Sequence, residues 1–254
     1  MDLLHSALLV VAGIAGGVMA AIIGGAAVIT FPALLAAGLP PVMATAGKTV
    51  ALTPGLFLAA IYDRSQLPPF DRSFVAMALA SIAGALIGAS LLLLTPEGVF
   101  SALVPLLLGF ATVLFAYAGR ISAWLAERAA RGNKRFSAHS LAAVLPVSIY
   151  GGYFGAGVGV LMLGIFSVGT RGDYRSANVS KNLVTALNSA TATAIFAVQG
   201  VISWPATLLL MAGTLLGAMI GARLAQVMPN RAARSLVVVV GALLTAVFAW
   251  RYWA

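Results

Sequence analysis

Gly84-Ala85-Leu86-Ile87-Gly88-Ala89 returns, nearly unchanged, as Gly217-Ala218-Met219-Ile220-Gly221-Ala222. The shift of 133 positions that aligns the two (84 to 217) also lays Lys48 on Lys181. The same shift brings Thr95-Pro96 onto Met228-Pro229, and nearby offsets bring Gly16-Gly17 onto Gly151-Gly152 and Gly109 onto Gly241, so the likeness runs through each half. The chain therefore reads as an internal duplication. Glycines one turn apart let helix backbones approach closely in lipid, where packing replaces the hydrophobic effect as the glue. The repeated glycine motif itself is read as a packing element and nothing more.

Of the 254 residues, 61% are hydrophobic and 8% charged, with a mean hydropathy of +1.04. That leaves too little polar surface to cover a water-soluble globule of this size, so the chain belongs in a lipid bilayer. The 15 Lys and Arg against 6 Asp and Glu give a net charge of +9. In a membrane protein this excess reports loop topology, and no nucleic-acid partner is expected. With no cysteine, disulfides, thiol catalysis and thiolate metal sites are excluded; neither a metal nor a cofactor is expected. The first apolar run, Ala7 to Ile23, lacks a basic flank and carries Asp2 instead, so it reads as part of the mature fold.

Apolar stretches broken by turn signals give Ser6 to Ile23, Ala26 to Ala37, Met43 to Tyr62, Phe74 to Leu94 and Val99 to Gly119 in the first half. The second half gives His139 to Phe154, Val158 to Val168, Ala177 to Val198, Ala206 to Val227 and Ala232 to Trp250. A basic polar linker, residues 120–136, separates them, so the expected organisation is a first repeat over 1–119 and a second over 137–254. Ala26 to Ala37 and Val158 to Val168 would cover about 18 and 16 Å as helix against a hydrocarbon core of roughly 30 Å. Each is expected to form a hairpin, re-entrant in the bilayer, with the segment before it. The tips fall on Gly24-Gly25 and on Gly155-Ala156-Gly157, where a glycine-rich chain can turn sharply and offer backbone N–H groups to a ligand.

Five segments per half is an odd number, so the second copy must insert upside down relative to the first. The expected fold is an all-α polytopic membrane protein of two inverted-topology repeats. The charges agree with this topology. A cytoplasmic linker puts Arg64, Arg72, Arg171, Arg175, Arg223, Arg231 and Arg234 on the same side as Arg120, Arg128, Arg131, Lys134 and Arg135. Only Arg251 then lies opposite, as the positive-inside rule requires, and both termini come out extracytoplasmic.

Polar side chains deep in lipid are costly and mark function, and here they gather in two equivalent segments. Asn178, Lys181, Asn182, Thr185 and Ser189 share one helix face; Thr45, Lys48, Thr49 and Thr53 share the equivalent one. Each lysine stands within about two turns of a helix start, so snorkelling to the headgroups is the plain alternative. A snorkelling lysine needs no amide and hydroxyl neighbours, whereas a buried cation holding an oxyanion does, to replace the anion's water. The stripes thus point to a small anionic substrate, bound by Lys48, Lys181, Asn178, Asn182, Thr45, Thr49 and Thr185 with the tip glycines Gly24, Gly25, Gly155 and Gly157. All six carboxylates, Asp2, Asp63, Asp71, Glu97, Glu127 and Asp173, fall in loops or at segment ends, which argues against a cation carrier.

Three runs carry a family resemblance: the glycine-rich openings of the two halves (IIGGAAVITFPALLAAGLPPVMATAGKT and IYGGYFGAGVGVLMLG), the R-x-A-N-x-x-K-N run from Arg175 to Asn182, and GTLLGAMIGARLAQVMP from Gly213 to Pro229. The chain resembles the sulfite exporter TauE/SafE family over nearly its whole length. The resemblance implies a secondary transporter of sulfite, sulfonates or related organosulfur anions, usually exporting them from the bacterial cytoplasm. Family members vary at the position of Lys48, so the resemblance carries further for Lys181.

The reading is thus a non-enzymatic secondary carrier in the bacterial inner membrane, working by alternating access, with homo-oligomers open to it. Its alternatives are an uptake carrier for a sulfur or carboxylate anion and, outside transport, a membrane-embedded structural or assembly subunit. An enzyme would need a nucleophile with its base, or a metal cluster, within the apolar spans.

Overall fold

The structure, a computed structural model, describes residues 3–23, 25–62, 64–131, 138–170, 173–224 and 230–253. Asp2, Gly24, Asp63, Lys134, Arg135, Arg171, Met228 and Pro229 lie outside these residues. The described chain forms ten α-helices: α1 (Leu3–Ile23), α2 (Ala27–Ala36), α3 (Pro41–Tyr62), α4 (Arg72–Leu94), α5 (Glu97–Arg131), α6 (Ala138–Tyr153), α7 (Val158–Gly169), α8 (Tyr174–Val198), α9 (Trp204–Leu224) and α10 (Asn230–Trp253). Each matches one apolar segment of the sequence. The protein is an all-α polytopic membrane protein.

Helices begin and end for local reasons. Asp71 caps α4 by accepting from the Phe74 amide at 2.8 Å, and Asp173 caps α8 by accepting from the Arg175 amide at 3.1 Å. One boundary differs from expectation: α5 runs 35 residues, through residues 120–131 of the segment read as a polar linker. That stretch, ISAWLAERAAR after Arg120, is made of good helix formers without Gly or Pro, and polarity alone does not stop a helix. At about 52 Å, α5 outruns a hydrocarbon core of roughly 30 Å.

Six helices, α1, α3, α4, α5, α9 and α10, contain windows long and apolar enough to cross a membrane. The 25 residues of α8 are long enough but too polar to join them. It packs instead against α3, α4, α6 and α7, which shield its polar groups from lipid. The helices α2 and α7, of 10 and 12 residues, cover about 15 and 18 Å, while α1 before them reaches about 31 Å and α6 about 24 Å.

The halves interlock. Helix α1 packs on α9 and α6 on α4; α3 packs on α8 and on α9, α8 also on α4, and α5 on α10. The tightest contacts are made through small residues. A Cβ built on Gly13 of α1 would sit 2.5 Å from the Leu210 carbonyl of α9, and one on Gly152 of α6 would sit 2.6 Å from the Ala85 carbonyl of α4. Gly84 and Gly88, the repeated motif, face α6 at Ser148 and Ile149, and Gly217 faces α1 at Ile14, so the packing reading of that motif holds. At one end of α5, Gly119 lies against the Arg234 guanidinium of α10; at the other, the Trp253 indole donates to the Ala102 carbonyl at 2.9 Å. These contacts set α5 and α10 antiparallel.

Candidate functional site

The polar helices α3 and α8 pack against each other, and Thr53 and Thr193 meet between them, their hydroxyls 3.4 Å apart. On α3, Lys48 is only 2% exposed. Its ammonium reaches neither lipid nor headgroup: it donates to the Phe154 carbonyl oxygen and lies 5.0 Å from the centre of the Phe154 ring. Phe154 is itself buried, edge-on to Phe31 of α2 with centroids 5.2 Å apart. The first-half lysine is thus seated on the tip of the second half's hairpin.

That tip is shaped by two left-handed glycines, Gly155 at φ +78° and Gly157 at φ +81°, a conformation that costs glycine nothing. The Tyr150 hydroxyl of α6 donates to the Ala156 carbonyl at 2.6 Å and ties the turn to its own helix. The Gly155 amide donates to the Tyr150 carbonyl at 3.0 Å and the Gly25 amide to the Met19 carbonyl at 3.4 Å. Of the four tip glycines that the sequence reading offered to a ligand, Gly25 and Gly155 therefore have their amides engaged within their own hairpins, and Gly24 lies outside the described residues. Toward Lys48 the tip presents a carbonyl.

On α8, Lys181 is partly buried, and a Cβ built on Gly159 at the start of α7 would lie 4.0 Å from its Cδ. The residues 154–159 thus hold Lys48 at one end and pass alongside Lys181 at the other. Asn182 and Thr185 are buried beside Lys181, and Asn178 is partly buried. The hydroxyls of Thr185 and Thr45 are buried without a hydrogen-bond partner, which is uncommon for buried polar atoms. By contrast, Thr49 donates to the Thr45 carbonyl at 2.8 Å and Thr53 to the Thr49 carbonyl at 2.7 Å. A hydroxyl has one proton, so these two have spent theirs within α3; Thr45 and Thr185 keep donors that an oxyanion would take.

Sequence reasoning missed Asn188, 2% exposed, whose amide donates to the Ser81 carbonyl of α4 at 3.1 Å and the Ser148 carbonyl of α6 at 3.0 Å. Its i+7 spacing from Lys181 is the signal that would have found it. Thr207 of α9, another buried hydroxyl without a partner, lies against Gly47 and follows no stripe.

The model of the sulfite exporter TauE/SafE family matches residues 9–248. The chain belongs to that family. Among curated relatives, a probable membrane transporter protein of Haemophilus influenzae is 25% identical over 97% of this chain and 94% of its own length. The probable membrane transporter protein ORF9 of a Sinorhizobium species is 28% identical over 92% of this chain and 88% of its own. The probable membrane transporter protein YfcA of Escherichia coli K12 is 26% identical over 91% and 84%. No solved structure matches. Family and relatives agree with the six apolar helices: this TauE/SafE member is a multi-pass membrane transporter.

Proposed function

We propose that this TauE/SafE protein is a secondary carrier of sulfite or a small organosulfonate, exporting it across the bacterial inner membrane by alternating access of two inverted repeats. The observation that carries the proposal is the chemistry of α3 and α8: a lysine on each, and one turn away on the same faces a buried hydroxyl with no partner, Thr45 and Thr185. A buried cation beside idle donors is suited to a desolvated oxyanion, which needs both charge and hydrogen bonds to replace its water. Lys181, Asn178, Asn182 and Thr185 form the inner part of this site; Lys48 and Thr45 form the outer part, beside Thr49, whose proton is held within α3. The hairpin tips at Gly25 and at Gly155-Gly157 supply the turns that close it from either side. The sulfur chemistry rests on the family, and the anionic charge on the lysines. The linker end of α5 is placed in the cytoplasm and both termini outside, because that arrangement keeps the basic loops inside.

The test is flux in proteoliposomes loaded with labelled sulfite and a panel of sulfonates, with Lys181→Ala and Lys48→Ala in parallel. Saturable sulfonate or sulfite flux that Lys181→Ala abolishes supports the proposal. Flux of carboxylates alone would move the protein to the carboxylate-carrier reading, and no flux of any anion would remove the carrier reading altogether.

A further inference from the structure

The two equivalent lysines are ligated differently. Lys48 holds the Phe154 carbonyl, whereas Lys181 has no hydrogen-bond partner among the described residues. Phe154 directly follows α6, and its amide still donates to the Tyr150 carbonyl at 2.9 Å. Its own carbonyl is therefore one of those a helix leaves unsatisfied at its C-terminus, where the aligned peptide dipoles amount to about half a negative charge. No Asp or Glu stands in α3, α6 or α7, so this helix end and the Phe154 ring are what compensates the buried ammonium.

From this, and resting on the anion-carrier reading above, we propose that the Phe154 carbonyl stands in for a substrate oxygen at Lys48. The ammonium holds either the tip of the second hairpin or an oxyanion, and an anion arriving at Lys48 releases the tip. A full negative charge makes the stronger charge-assisted bond, so the exchange favours the anion once it is desolvated. The Thr45 hydroxyl, 1% exposed and without a partner, lies three residues before Lys48 on the same helix face and supplies a donor that the carbonyl leaves unused. The tip is built to move as a unit. Tyr150 binds it to α6, and the left-handed glycines on either side of Ala156 take up the change in backbone direction. One hydrogen bond thereby couples substrate binding in the first half to the position of a hairpin in the second.

The chain has no cysteine, so a single introduced thiol is the sole reporter. Ala156→Cys, at a fully buried position of the tip, is reconstituted in liposomes and its alkylation by N-ethylmaleimide is timed with and without saturating methanesulfonate, in the Lys48 and Lys48→Met backgrounds. Methionine is a near-isostere that removes the buried charge without leaving a void, so the variant is expected to fold. The proposal expects alkylation about tenfold faster with the anion when Lys48 is present. In Lys48→Met it expects the fast rate without the anion, and no response to it. An equally slow rate in Lys48→Met overturns the latch. Val158→Cys, a second buried position at the tip, repeats the measurement should Ala156→Cys not insert. Flux measured on the same vesicles keeps the two readings apart: no anion flux with a fast Lys48→Met rate defeats the carrier reading alone, while flux with a rate unmoved by Lys48→Met defeats the latch alone.

Discussion

The Thr214 hydroxyl of α9 shares its proton between the Ala51 carbonyl of α3 and the Met211 carbonyl of its own helix, each at 2.9 Å. Moved back by 133 positions, the donor becomes Ser81; moved forward by the same amount, the acceptor on α3 becomes Val184. The Ser81 hydroxyl of α4 donates to the Val184 carbonyl of α8 at 3.3 Å. A hydrogen bond between the halves thus has its counterpart with the halves exchanged, which supports the proposal of duplicated, inverted repeats. Removing either is expected to act alike in kind. Thr214→Val should cost about 1 kcal/mol, the net worth of one buried hydrogen bond. Ser81→Ala should cost more, because Ser81 also accepts from the Ser148 hydroxyl at 3.1 Å. Thermal unfolding of the purified variants in detergent checks the order.

Asn188 joins three helices through one amide, and its carbonyl oxygen lies against Gly151. Asn188→Ala should destabilise the protein by about 1–3 kcal/mol by leaving a buried void and unmade bonds. Asn188→Asp should be worse, since it would aim a carboxylate that cannot donate at two carbonyl oxygens. Unfolding midpoints of the two variants, compared with a conservative Asn188→Gln, test this; an Asp variant as stable as the parent would refute it.

The segments were legible because a bilayer demands apolar runs of set length, and each of the ten helices answers one of them. The C-terminal extension of α5 was not, because outside lipid a run such as that from Ile121 to Arg131 is governed by helix propensity and not by hydropathy. Within the site, the stripes of α3 and α8 were legible from spacing along a single helix. What spacing cannot give is a partner 106 residues away: the Lys48 bond to Phe154 depends on how the hairpin packs against α3. For the same reason the tip glycines looked like donors, although the turn they make spends the Gly155 amide on Tyr150.

Two helical glycines should respond oppositely to the same substitution. A Cβ on Gly88 would collide with the Ile149 carbonyl and lie 2.8 Å from the Tyr153 amide nitrogen, whereas nothing lies within 4 Å of one on Gly55. Gly88→Ala should force α4 and α6 apart and cost about 1–3 kcal/mol. Gly55→Ala should stabilise α3 by about 0.5–1 kcal/mol, because alanine loses less backbone entropy on entering a helix. Yield of folded protein and unfolding midpoint in detergent distinguish the two.

Lys181 and Lys48 should differ in their response to a change of charge carrier. Lys181 has no partner to lose among the described residues, so Lys181→Arg keeps a cation at the site and should retain part of the flux, whereas Lys181→Ala should lower it at least about tenfold. Lys48 is 2% exposed and closely held by Phe154, and the bulkier guanidinium of Lys48→Arg would have to displace that carbonyl and the ring beside it. Lys48→Arg should therefore transport no better than Lys48→Ala. Initial rates of labelled sulfonate uptake in proteoliposomes decide the comparison.

The two ends of α5 give the topology a direct test. Glu97 opens the helix and Glu127 lies near its other end; both are exposed, and the 30 positions between them (97 to 127) span about 45 Å, more than the hydrocarbon core. The native chain offers no competing thiol, so Glu97→Cys and Glu127→Cys each place one at a known end. The basic residues cluster toward the Glu127 end: Arg120, Arg128 and Arg131 lie on that part of α5, and Arg234 packs beside Gly119. With those charges in the cytoplasm, a membrane-impermeant maleimide added to intact spheroplasts should label Glu97→Cys and spare Glu127→Cys, and inverted vesicles should give the reverse. Labelling of Glu127→Cys from outside would overturn the orientation while leaving the helix order untouched. Labelling of both from one side would mean that α5 does not cross the membrane, and the bilayer placement of all its neighbours would fall with it.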